Sequence, residues 1–178
     1  MDLALKDWFN IGFIVVLLSI FFVNYAAIFL GAEQSFYNTP LQVAEETYLH
    51  TSTLRETINF LDIFSNNLSV SIYLIIPVAG LLFFLVTLWN TGTIVGHLAL
   101  ITGVLPSLYI LGISIPIAIL EIFAYSLLGS EALYVFLLFI FKSGFKQRLI
   151  NHSWKSLIMY VFVLFFAANM EALMILGQ

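Results

Sequence analysis

The stretch Ile63–Leu120, IFSNNLSVSIYLIIPVAGLLFFLVTLWNTGTIVGHLALITGVLPSLYILGISIPIAIL, contains no Asp, Glu, Lys or Arg. At about 20 residues per membrane-crossing helix it is long enough for two crossings and their turns. The first is predicted over Leu68–Trp89, bent at Pro77 and Gly80. Asn90-Thr91-Gly92 reads as the intervening turn, and the next crossing is predicted over Thr93–Gly112, kinked near Pro106. From the end of that turn into the second crossing, Gly92, Gly96, Ala99 and Gly103 recur at helical spacing and share one face. Small residues on one face let two backbones approach closely, which is how helices associate in lipid.

Upstream, Phe9–Leu30 lies between Asp7 and Glu33 without a charge, and forms a first crossing. Asp2, Lys6 and Asp7 do not make a basic leader, and the apolar run exceeds the core of a cleaved signal, so residues 1–30 read as an uncleaved signal anchor. Residues 31–62 change character: Glu33, Glu45, Glu46, Glu56 and Asp62 face a single Arg55. Thr39-Pro40 supplies a helix start, and Leu41, Ala44, Tyr48 and Ile58 recur at near-helical spacing. A helix over much of Pro40–Asp62, lying along the membrane surface, is expected.

Residues 63–178 form the membrane helical domain. Gly112-Ile113-Ser114-Ile115-Pro116 breaks the chain, and Pro116 opens a fourth element, Pro116–Phe141, interrupted again at Gly129-Ser130. Lys142, Lys146, Arg148 and Lys155 follow with no acidic residue among them, and the last crossing is Ser153–Leu176. The positive-inside rule puts this basic loop and the N-terminus in the cytoplasm. The acidic segment Gly31–Asp62 and Gln178 then lie outside. A second parsing, with spans at Ser107–Leu128 and Ser130–Phe141, keeps the same sidedness. The fold class is all-α, a polytopic transmembrane helical bundle of about five crossings with one broken helix.

Composition agrees. The chain of 178 residues is 62% hydrophobic and 9% charged, against about 25% charged for an ordinary soluble domain. No basic patch suits nucleic acid, so nucleic-acid binding and soluble catalysis are excluded. There is no cysteine, hence no disulfide framework or zinc-thiolate site. Partners are therefore the lipid bilayer and, by expectation, other membrane subunits.

Glu121 sits among Ile119, Leu120, Ile122 and Phe123, where a carboxylate costs several kcal/mol, starting at about 2.5. Three things can meet that cost: protonation, a hydrogen-bond partner such as Tyr125 one turn away, or a water-filled pocket. Glu131, just after the expected break at Gly129, reads as a helix N-terminal cap. Glu171, near the end of the last helix, reads as structural. Asn90 and His97 complete the intramembrane polar candidates. His50, His97 and His152 fall in three different regions, so they do not share a metal, and His97 with Glu121 makes too few ligands for a usual site. No phosphate loop, nucleophile elbow or zinc-protease motif is present. Neither a metal, a catalytic residue nor a cofactor is implied.

The order of these elements resembles the stage II sporulation protein M family, in its archaeal branch. The residues that carry the resemblance are Ile63-Phe64-Ser65-Asn66-Asn67-Leu68-Ser69-Val70, Ile76-Pro77, Asn90-Thr91-Gly92 with Gly96, Pro116 with Glu121-Ile122, Ala124-Tyr125-Ser126-Leu127, and Ser130-Glu131-Ala132-Leu133-Tyr134. They span about residues 60–141. The family's His-Gly after the proline is replaced by Ile117-Ala118. The resemblance implies a small polytopic scaffold without catalytic apparatus, which in spore formers serves cell-wall-degrading enzymes during engulfment. Three functions are therefore expected to compete: a non-catalytic subunit or scaffold of a larger membrane complex, a small ion- or proton-coupled channel or transporter using Glu121 with Glu131, and a membrane enzyme or its accessory subunit.

Overall fold

The protein is described by a computed structural model covering residues 10–55, 59–113 and 115–176. Among the described residues eight α-helices follow one another: α1 Ile11–Asn38, α2 Leu41–Arg55, α3 Phe60–Ser71, α4 Ala79–Thr102, α5 Pro106–Ile113, α6 Ile115–Ile140, α7 Phe145–Arg148 and α8 Trp154–Leu176. A 3₁₀ turn, Ile72–Ile75, extends α3, and a π turn, Leu149–Ser153, joins α7 to α8. No strand occurs among the described residues. The chain is an all-α helical membrane bundle.

Among the described residues four helical stretches are long and apolar enough to cross a membrane: Ile11–Asn38, Ala79–Thr102, Ile117–Ile140 and Phe145–Leu173. A fifth, Phe60–Ile75, is apolar but shorter. Its 16 residues span about 24 Å as a helix, less than the ~30 Å hydrocarbon core. Phe22, Leu82, Val86, Phe162 and Phe166 stand exposed on the outside, as lipid-facing side chains do. Serine and threonine hydroxyls within the helices return to carbonyls one turn back, as Ser19 does to Val15 and Thr87 to Phe83. Each such bond satisfies a polar group that lipid cannot.

The order of contacts fixes the relative directions. Gly92 and Gly96 of α4 lie against Ile28 and Ala32 of α1, so these two helices run parallel. Asn24 meets Ser126 while Asn10 meets Tyr134, so α6 runs antiparallel to α1. Phe64 packs on Phe165 and Ser71 bonds Tyr160, so α3 runs antiparallel to α8. The chain thus passes alternately up and down through α1, the α3 segment, α4, α6 and α8. Phe13, Leu17, Leu74, Phe84, Leu127 and Leu164 form the core between them.

Several boundaries differ from the sequence reading. The first helix does not stop at Leu30 but continues through Gly31 and Glu33 to Asn38, where the expected Thr39-Pro40 signal ends it and opens α2. The α2 helix packs against α4, burying Ala44. Ile58 and Glu56 of the expected surface helix lie outside the described residues, as do Phe9, Ser114, Gln178 and the N-terminal charges.

Between Leu68 and Gly112 the expected spans are shifted. Asn90-Thr91-Gly92 is not a turn but the middle of α4. The turn lies instead at Pro77-Val78-Ala79, where Val78 adopts φ 63 and ψ −64 and Ala79 N–H donates to Pro77 O at 2.7 Å. This is the γ-turn that is rare because it is strained. Nor is Pro106 a kink within a crossing. The α4 helix ends at Gly103, left-handed with φ 68, and Val104 N–H donates to Ala99 O at 3.1 Å, a helix-terminating pattern that glycine favours. Pro106 then opens α5.

The expected broken element is unbroken. Helix α6 runs continuously from Ile115 with Pro116 in its first turn, and passes through Gly129-Ser130 without interruption. Gly129 serves packing instead: a Cβ there would lie 2.9 Å from Leu81 Cδ2. Among the described residues the apolar stretch is interrupted instead at Pro77–Ala79, between α3 with its 3₁₀ turn and α4, and at Gly103, between α4 and α5.

Candidate functional site

Two polar clusters lie within the bundle. The first is built on Glu131 and Arg148. Arg148 Nε donates to Glu131 Oε1 at 2.9 Å and Nη2 donates to Oε2 at 2.6 Å, a two-pronged pairing that the planar guanidinium suits. Ser153 Oγ donates to Oε1 and Ser156 Oγ to Oε2, both at 2.7 Å. The side chains are only 1% and 8% exposed for Arg148 and Glu131. The guanidinium also lies over the Phe13 ring, 4.5 Å from its centroid, and near Tyr134 at 5.1 Å. Tyr134 hydroxyl donates to Asn10 Oδ1 at 3.0 Å, and the same oxygen accepts from Phe13 N–H at 2.9 Å, capping α1.

One buried pair therefore ties the start of α1, the middle of α6 and the junction of α7 with α8. Breaking such a pair from one side leaves an uncompensated charge and costs about 3–5 kcal/mol. The π turn Leu149–Ser153 immediately follows Arg148 and closes on Ser153, so the irregular segment delivers both to the same carboxylate. Glu131 is thus not a helix cap; it is mid-helix and ion-paired. By sequence alone Arg148 belongs to the basic loop. The signal available was chemical: a carboxylate inside an apolar helix needs a countercharge, and Arg148 is the only arginine downstream of it.

The second cluster surrounds Glu121. Asn67 Nδ2 of α3 donates to Glu121 Oε1 at 2.7 Å. Tyr125, one of the options considered for Glu121, packs on Phe84 with ring centroids 4.7 Å apart. Glu171 of α8 lies close enough to interact electrostatically with Glu121, and Tyr125 is within reach of both. Glu171 is half-buried rather than isolated at a helix end. Nearby, Ser71 shares a hydrogen bond with the buried hydroxyl of Tyr160. Asn67, known from the sequence only as part of the family-like motif, is the residue that meets the Glu121 carboxylate.

The remaining candidates are dispersed. His97 is buried and bonds through Nε2 to Thr39 Oγ1 at 3.3 Å, and its Nδ1 has no partner. It does not approach Glu121. Asn66 and Asn90 are exposed on their helices. Gly92, Gly96 and Ala99 are buried, the two glycines against α1, where Cβ atoms would come within 2.1 Å of Ile28 O and 2.4 Å of Ala32 O. Gly103 is not part of that seam; nothing lies within 4 Å of its Cβ direction. Gly31 and Gly80, outside that repeat, make equally close approaches, to Trp89 O and Tyr73 O. Among the described residues no group of three or more His, Cys, Asp or Glu could hold a metal ion.

No protein family, curated protein or solved structure matches the chain.

Proposed function

We propose that this protein is a non-catalytic subunit or scaffold of a larger membrane complex, of the stage II sporulation protein M kind. Its N-terminus and Lys142–Lys155 loop are cytoplasmic and its Gly31–Asp62 segment faces outward. The observation that carries the reading is α2. This helix packs against α4 and buries Ala44, yet presents Leu41, Val43, Tyr48 and Leu49 to the exterior, each between 45% and 64% exposed, beside the carboxylates of Glu45 and Glu46. An apolar surface interrupted by charges, at the acidic end of a bundle, suits a protein partner better than lipid tails. The polar side chains of the bundle support the same reading, since Asn10–Tyr134, Asn24–Ser126, Asn67–Glu121 and Glu131–Arg148 each cross-link two helices. The test is purification in mild detergent with Leu49→Glu as the variant. The wild-type chain is expected to bring defined partner chains with it, and the variant to lose them while keeping its own size and thermal stability. A monomer that binds nothing, yet moves an ion or converts a substrate alone, overturns the proposal.

A second reading, ion or proton coupling, is favoured by the proximity of Glu121 and Glu171 with Asn67 and Tyr125 around them. Glu121→Gln in reconstituted vesicles separates the two. A scaffold tolerates this isosteric change, whereas a coupled transporter loses flux with its fold intact.

A further inference from the structure

An apolar groove of about 460 Å³ runs along α6 on the side where α7 and the start of α8 fold back. Pro77, Leu128, Val135, Phe139, Phe145 and Leu157 are among its walls. A second cavity of about 450 Å³ adjoins it, sharing Phe139 and Phe145, and is flanked by Lys142, Gly144 and Lys146. Phe139 and Phe145 meet edge to face at 5.2 Å, so they separate the apolar part from the basic part. Both lysines are exposed. Neither ammonium pairs with a carboxylate among the described residues, whereas the neighbouring Arg148 is consumed by Glu131.

We infer that these two cavities form one binding site for an anionic phospholipid. Its acyl chain lies in the groove against α6 and its phosphate lies between Lys142 and Lys146. The division into a long apolar wall and a doubly cationic mouth is the complement of such a molecule. It also sits where the helix α6 leaves the membrane at the basic loop. A zwitterionic lipid fits the apolar wall equally well, so the two ammonium groups are what select net negative charge. Basic pockets between transmembrane helices recognise anionic headgroups by this division of labour.

The test uses the full chain in a neutral detergent, with phosphatidylglycerol and phosphatidylcholine of identical acyl chains as probes and inorganic phosphate as a third. Native mass spectrometry and thermal unfolding read the binding. Phosphatidylglycerol is expected to stay bound under activation that strips phosphatidylcholine, and to raise the unfolding midpoint. The exposed pair Lys142→Gln with Lys146→Gln should reduce the preference by roughly thirtyfold, the effect of two lysines at an anionic surface, without moving the lipid-free midpoint. Lys155→Gln, whose ammonium lies over Trp154 instead, should keep the preference. Ala132→Phe, placed in the groove wall, should reduce retention of both lipids. Equal retention of the two lipids by the wild type overturns the inference. A preference that survives in the double lysine variant, or a stabilisation reproduced by inorganic phosphate alone, does so as well.

Discussion

Arg148→Met leaves the Glu131 carboxylate facing Ser153 and Ser156 inside a helical bundle, with two hydroxyl donors and no countercharge. We expect a loss of about 3–5 kcal/mol, read as a lower unfolding midpoint in detergent or bicelles. Combining Arg148→Met with Glu131→Leu should recover most of that loss, because an apolar pair of similar volume incurs no desolvation cost. Arg148→Lys should fall between, since an ammonium keeps the charge but loses the two-pronged geometry and the stacking over Phe13. A double variant as unstable as the single one would mean that the pair is not the source of the stability. Asn67 meets a similar need at Glu121: the carboxylate is met by an amide donor from a different helix, not by the tyrosine one turn along its own.

At the scale of elements, the α1–α4 pair is the most extensively packed among the described helices, and glycine permits it. A leucine at Gly92 would have to place Cβ 2.1 Å from the Ile28 carbonyl oxygen, which no rotamer avoids. Gly92→Leu is therefore expected to separate the two helices and destabilise the protein by more than about 3 kcal/mol, as severe overpacking does. Leu98→Ala removes a side chain that is only half-buried and should cost about 1 kcal/mol. Equal unfolding midpoints for the two variants would remove the close approach as a determinant of the fold. The sequence showed this face at Gly92, Gly96 and Ala99 because a small-residue repeat is visible in one dimension. It did not show that Gly103 terminates the helix, since a left-handed cap and a packing glycine are spelled with the same residue.

For the whole molecule, the alternation of helix directions puts Asn10 and the Lys142–Lys155 loop at one end and α2 at the other. The chain has no cysteine, so single cysteines report position without background. Gln42 and Gln147 are both exposed. Impermeant labelling of intact cells should modify cysteine at Gln42 and not at Gln147, and permeabilised cells should modify both. Reaction of both positions from the same side would refute the alternating arrangement.

The sequence by itself determined the class of the protein, an all-helical membrane bundle, because hydropathy and the scarcity of charge are sums over residues and need no partner. It also determined the start of α2 at Thr39-Pro40 and the first turn of α6 at Pro116, where proline acts on its own backbone. Only the tertiary structure decided which of the apolar residues from Leu68 to Gly112 form α4. Within a charge-free run the local preference for helix is nearly uniform, and contacts with α1 select one register among many. It likewise decided the roles of Glu131, Arg148, Asn67 and Gly129. Glu131 and Arg148 stand 17 residues apart in sequence, and Asn67 and Glu121 stand 54 apart. A polar group in lipid requires a partner, but chain spacing does not name it; the packing of the helices does.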